Sequence, residues 1–96
     1  MAVKVIMKRT PKSGANGELN TVLQELGHLA MSQPGYISGE TLLSALDTNS
    51  AIAVSQWTSL QHWQEYEISR ERQGLIDRVA ELLDEPAVTE VYLPTR

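Results

Sequence analysis

The sequence predicts an α+β domain, a four-stranded antiparallel sheet carrying helices on one face. Three observations lead to it. Apolar residues alternate with a strand's period of two or recur at helical spacing, in the order strand, helix, strand, strand, helix, helix, strand. Only a turn separates the two middle strands, which makes them a hairpin. The chain has 96 residues and no linker, repeat or low-complexity tract, so residues 1–96 are expected to form one domain.

Each element has its own local reason. Val3, Val5 and Ile6 are β-branched and precede the turn cluster Thr10-Pro11-Lys12-Ser13-Gly14, which gives a first strand over 3–8. Asn16 is placed to cap a helix whose stripe is Leu19, Val22, Leu23, Leu26 and Leu29 or Ala30. Ser32-Gln33-Pro34-Gly35 stops it. The second strand covers 36–44, with Tyr36, Ser38, Glu40 and Leu42 on one face. Asp47-Thr48-Asn49-Ser50 turns the chain into the third strand, 51–57. Thr58 or Ser59 caps a short helix carrying Leu60, Trp63 and Tyr66, and Thr58-x-x-Gln61 fits a capping box. Ser69 opens a third helix with the stripe Leu75, Ile76, Val79, Leu82 and Leu83. After Pro86, residues 87–93 form the last strand.

Helices on one face leave the other uncovered, and that face bears Ile and Val from the middle of the sheet. A second copy packed sheet to sheet would cover it, so a homodimer is expected. The size of the chain agrees, because a domain this small buries a modest fraction of its surface.

Composition excludes several classes of function. With no cysteine there is no disulfide framework, thiolate metal site or cysteine nucleophile. Eight Lys and Arg against twelve Asp and Glu give a net charge of -4, the wrong sign for a nucleic-acid footprint. The one basic cluster, Lys8-Arg9 with Lys12, sits at a turn without flanking aromatics. No apolar run is long enough for a membrane span and the start is no signal peptide, so the expected location is the cytoplasm. His28 and His62 lie on separate helices, each with a single carboxylate at i±3, and no metal site is expected. The Ser13–Gly17 loop lacks the spacing and lysine of a phosphate loop.

The aromatics carry more information. There are five, none of them Phe, and Trp57, Trp63 and Tyr66 gather within ten residues at one strand-to-helix junction. Trp63 and Tyr66 share a helix face. Rings with polar tips, concentrated in this way, suit a flat apolar pocket.

Around this junction the chain resembles the antibiotic biosynthesis monooxygenase (ABM) domain family of the dimeric α/β-barrel superfamily, which has a ferredoxin-like fold. The likeness lies in Pro34-Gly35-Tyr36-Ile37-Ser38-Gly39-Glu40-Thr41-Leu42 and Ala51-Ile52-Ala53-Val54-Ser55-Gln56-Trp57-Thr58-Ser59. Leu60-Gln61-His62-Trp63 and Ser69-Arg70-Glu71-Arg72 continue it. The resemblance implies a cofactor-independent oxidoreductase that turns a phenol, anthrone or quinol into a quinone, the substrate anion itself reducing O₂. In the anthrone-oxidising branch an asparagine precedes the strand-end tryptophan by four residues and a tyrosine follows it by six. Trp57 matches, while Ala53 and Trp63 stand at the other two positions. Lys8, Tyr66 and Ile76 stand where the heme-degrading branch has asparagine, tryptophan and an iron-ligating histidine, which argues against that route.

The residues and the resemblance together lead to a monooxygenase acting on a small aromatic hydroxyl compound, without metal or cofactor. Trp57, Trp63 and Arg72 are expected to contact substrate, with Tyr66 as a hydrogen-bonding group and His62 as the base. A binding or isomerising protein built on the same pocket is the alternative, and a structural dimerisation module a third.

Overall fold

The computed structural model describes residues 1–95. In β1 (Val3–Arg9), alternation sends Val3, Val5, Met7 and Arg9 toward the helices. The helices α1 (Asn16–Met31), α2 (Leu60–Glu67) and α3 (Arg70–Glu81) lie on that face. Strands β2 (Tyr36–Leu43), β3 (Ala51–Trp57) and β4 (Val88–Tyr92) complete an antiparallel sheet of order β2-β3-β1-β4. This is the ferredoxin-like α+β architecture expected from the sequence.

Two local expectations fail. Ala15, not Asn16, is the N-cap of α1, and no side chain caps the helix end. The capping box at α2 does not form either. Ser59 is the cap, accepting from the His62 backbone N–H at 3.2 Å, while the Gln61 amide donates to Glu65 at 3.1 Å. Ser69 caps α3 as expected, accepting from the Arg72 N–H at 3.3 Å.

The faces of β2 also differ from strict alternation. Tyr36 pairs with Trp57 and Ser38 with Gln56, so Ile37 is an extra residue. This bulge turns Tyr36 to the helix side together with Gly39 and Thr41. Ser38, Glu40 and Leu42 face outward. The pairings place Ile6, Ile52, Val54, Val88 and Tyr92 on that outer face as well.

The buried core divides into two clusters. Val3, Val5, Trp57, Trp63 and Tyr66 form one, where α2 meets the sheet. Leu19, Val22, Leu26, Val79 and Leu83 form the other, mainly between α1 and α3. The division leaves room between helices and sheet.

Gly35 fixes the entry to β2. Its φ is +85°, and its carbonyl accepts from the Thr58 N–H at 2.8 Å, tying the start of β2 to the end of β3. A Cβ here would run into the His62 side chain. Gly35→Ala should therefore destabilise the fold by about 2 kcal/mol or more, the backbone penalty and the steric conflict adding. Urea unfolding measures this, and a loss within about 0.5 kcal/mol, the range of ordinary surface substitutions, would contradict the account.

Candidate functional site

The space between α1 and the sheet is a cavity of about 580 Å³. That is within the size range of small-molecule sites. Trp57 closes the end of β3 and is fully buried, with its indole N–H donating to the Ser55 hydroxyl at 3.0 Å. The turn of α2 then delivers Trp63 and Tyr66 against it. Tyr66 stacks on Trp57 at 5.0 Å between centroids and 25° between planes. Trp63 lies 5.8 Å from Trp57, and Tyr36 meets Trp57 edge-on at 5.5 Å. All four rings line the cavity, along with Ala53 from β3 and Leu23, Leu26 and Ala30 from α1.

The polar groups among these apolar walls are unusual. Arg72 is 7% exposed, with its guanidinium 5.2 Å from the Trp63 ring centre and 5.5 Å from that of Tyr66. Such placement over ring faces is favourable for a cation. Arg72 Nη1 also donates to the Glu67 carbonyl at 3.3 Å. Arg9, 5% exposed, lies close by, and burial, reinforced by the charge of Arg72, pushes it down to about 10. It remains cationic at neutral pH. Burial likewise lowers Arg72. Burial raises the Tyr66 phenol, against the opposing pull of Arg72, and its hydroxyl donates to the Leu26 carbonyl at 3.3 Å. Tyr66 is thus a neutral donor at pH 7 and not a base.

Four of the five residues expected from the sequence meet here: Trp57, Trp63, Tyr66 and Arg72. His62 does not join them. Its Nδ1 lies 2.7 Å from the Ser59 hydroxyl and 3.1 Å from that of Thr58, against Gly35 and outside the cavity lining. The other histidine, His28, is on the exposed face of α1.

Arg9 was hidden in the sequence by its neighbours, because Lys8-Arg9-Lys12 reads as a solvated basic turn. Alternation was the available signal, since a residue two after Met7 and four after Val5 shares their face. Among the described residues, no group of three or more His, Asp or Glu converges as a metal site would require. Two guanidiniums in the wall would also repel a cation.

Comparison with known proteins agrees with the fold. The family profile described as antibiotic biosynthesis monooxygenase matches residues 2–85. No curated protein matches the sequence significantly. Several solved structures share the architecture at low identity. A conserved protein from Methanosarcina mazei superposes with a TM-score of 0.91 at 15% identity, covering 96% of this chain and 91% of that one. The Mycobacterium tuberculosis protein Rv0793 gives 0.90 at 23% identity, with 100% and 97% covered. SnoaB, a cofactor-independent oxygenase from Streptomyces nogalater, gives 0.89 at 16% identity, with 99% and 94% covered.

The state of Tyr66 can be tested directly. Subtracting the absorbance titration of Tyr66→Phe from that of the unmodified protein isolates this phenol, whose midpoint should lie above 10. Because the folded value is raised, Tyr66's contribution to stability is full below pH 10 and is lost as the pH climbs through the folded midpoint. A midpoint below 10 would refute the assignment of Tyr66 as a neutral donor.

Proposed function

Because this chain belongs to the antibiotic biosynthesis monooxygenase family, we propose that it is a monooxygenase that oxidises a small hydroxyarene to a quinone without a cofactor. The observation that carries the proposal is the pairing of an aromatic, largely apolar cavity with a guanidinium held over two of its rings. The cofactor-independent chemistry named for SnoaB supports it by analogy.

The residues have complementary roles. A flat ring slides between α1 and the wall of Trp57, Trp63 and Tyr66, gaining by burial and ring contact. Arg72 makes the bound hydroxyl more acidic by stabilising the aryloxide, an effect amplified where water is excluded. The proton leaves to water. The electron-rich aryloxide then reduces O₂, one oxygen forming the new carbonyl and the other leaving as water. Four electrons come from the ring, so hydroxyarene plus O₂ gives quinone plus water with no external reductant.

A second reading rests on Ala53 and Trp63. These positions carry an amide and a phenol in the anthrone-oxidising branch, and here they line the same cavity as apolar groups. A binding protein that holds an aromatic compound without turnover would need neither.

Oxygen uptake with 1-naphthol and related hydroxyarenes, in EDTA and without added cofactor, separates the two. The monooxygenase reading expects one O₂ consumed per quinone formed. Arg72→Gln should lower kcat/KM by about 100-fold, as removal of an oxyanion donor does elsewhere. Thermal stabilisation by the ring compounds with no uptake would favour the binding protein. A loss of kcat in His62→Ala with KM unchanged would instead make the His62 imidazole the base expected from the sequence.

We also propose that two copies pack through the outer sheet face to close a dimeric α/β barrel. Its support is the apolar strip Ile6, Leu42, Ile52, Val54, Val88 and Tyr92, of which Leu42, Val88 and Tyr92 are exposed in the single chain. Sedimentation should give twice the 10.7 kDa chain mass, and Val54→Lys should shift it to the monomer. A monomer at micromolar concentration for the unmodified protein would rule the dimer out.

A further inference from the structure

Two buried arginines share one thioether, and among the described residues neither forms an ion pair with a carboxylate. Arg9 Nη2 lies 3.7 Å and Arg72 Nη2 3.5 Å from the Met7 sulfur. Among the described residues the one ion pair is Arg78–Glu25, on the exposed surface. Arg72 is partly compensated by the Glu67 carbonyl and by two ring faces. Arg9 has less, since its buried Nε has no hydrogen-bond partner among the described residues. Two like charges held this close in a low-dielectric site destabilise each other, and a buried cation normally has a counter-charge.

The position of the pair says where the counter-charge belongs. A second cavity, of about 440 Å³, lies between α3 and β4, and Met7, Arg9 and Arg72 line both cavities. The guanidiniums therefore stand at their junction. The neighbouring acids are otherwise placed. Glu40 is exposed on the edge strand, Asp84 is exposed, and Glu85 is exposed and accepts from the Thr10 hydroxyl at 3.1 Å. Glu67 hydrogen-bonds Arg72 through its backbone carbonyl, and its carboxylate acts on Arg72 through its charge without forming an ion pair.

Resting on the hydroxyarene reading of the larger cavity, we infer that Arg9 and Arg72 form a carboxylate subsite and that the substrate is an aromatic hydroxy acid. Its ring lies against Trp57, Trp63 and Tyr66, and its carboxylate sits at the cavity junction between the two guanidiniums. A carboxylate is planar with two acceptor oxygens, which suits the donor forks of arginine. It supplies the counter-charge for the pair, and Arg9 Nε gains an acceptor.

Calorimetry on the full chain with 3-hydroxy-2-naphthoate and 2-naphthol tests this, because the two probes share a ring and differ in the carboxylate. The naphthoate should bind about 30-fold more tightly, the order expected for hydrogen bonds to a charged group. Arg9→Gln should abolish that advantage and leave the 2-naphthol Kd within about twofold, additivity holding for separate parts of a site. Should Arg9→Gln not fold, Arg9→Lys serves in its place and should reduce the advantage by a smaller factor, keeping the charge and losing the fork. Equal affinity for the two probes, or equal weakening of both by the substitution, would overturn the subsite and leave the hydroxyarene reading standing. Binding of neither probe would remove the hydroxyarene reading and the subsite with it. Tighter binding of 2-naphthyl phosphate than of the naphthoate would overturn the carboxylate and make the group a phosphate ester. Oxygen consumption is not read, so an inactive protein that passes the test still holds an aromatic acid.

Discussion

Trp57 is the ring on which the helix side of the molecule is assembled. It ends β3, is fully buried, and contacts Tyr36, Trp63 and Tyr66 at ring distances between 5.0 and 5.8 Å. Each such pair contributes about 0.5–1.5 kcal/mol beyond burial. The contacts set where α2 lies against the sheet and which way its aromatic face looks. They also make one wall of the cavity rigid, because a ring held by three others has little freedom to collapse inward. The room beside α1 is therefore a property of the core and not a gap in its packing.

Arg72 shows what that room is used for. It occupies the first turn of α3, where the free N–H groups favour an anion and disfavour a cation. Its side chain is buried as well. Both choices work against stability, and local rules are broken in this way mainly at functional sites. The ring faces and the Glu67 carbonyl recover part of the cost. Arg9 is less compensated, its one side-chain hydrogen bond among the described residues being to the Met7 sulfur.

Periodicity made most of the fold legible. The stripe Leu19, Val22 and Leu26 gave α1, and the alternation around Val3 and Val5 gave β1, because burial on a single face leaves a regular trace. The bulge at Ile37 left none: an extra residue in an edge strand changes a face without changing composition, so strict alternation groups Tyr36 with Ser38, Glu40 and Leu42, from which the bulge separates it. Capping depends on side-chain rotamers, and Thr58 and Ser59 were equivalent until the structure placed Ser59 against the His62 N–H. The site was half legible. Clustered aromatics are visible in sequence, whereas a buried arginine looks like an exposed one when lysines flank it. His62 was attractive for its chemistry, and the packing against Gly35 that keeps it out of the cavity is a tertiary fact.

The ionisation of the cavity wall has a consequence for kinetics. Arg9 stays charged to about pH 10 and Tyr66 stays neutral beyond its ordinary value, while an arginine such as Arg72 keeps its proton under all physiological conditions. These three groups present the same charges to a ligand at pH 6 as at pH 8. An inflection in the pH–rate profile across that range that persists in His62→Ala would therefore belong to the substrate's own hydroxyl, and its position would read out how far the positive field of the two arginines has displaced that hydroxyl's acidity from its value in water.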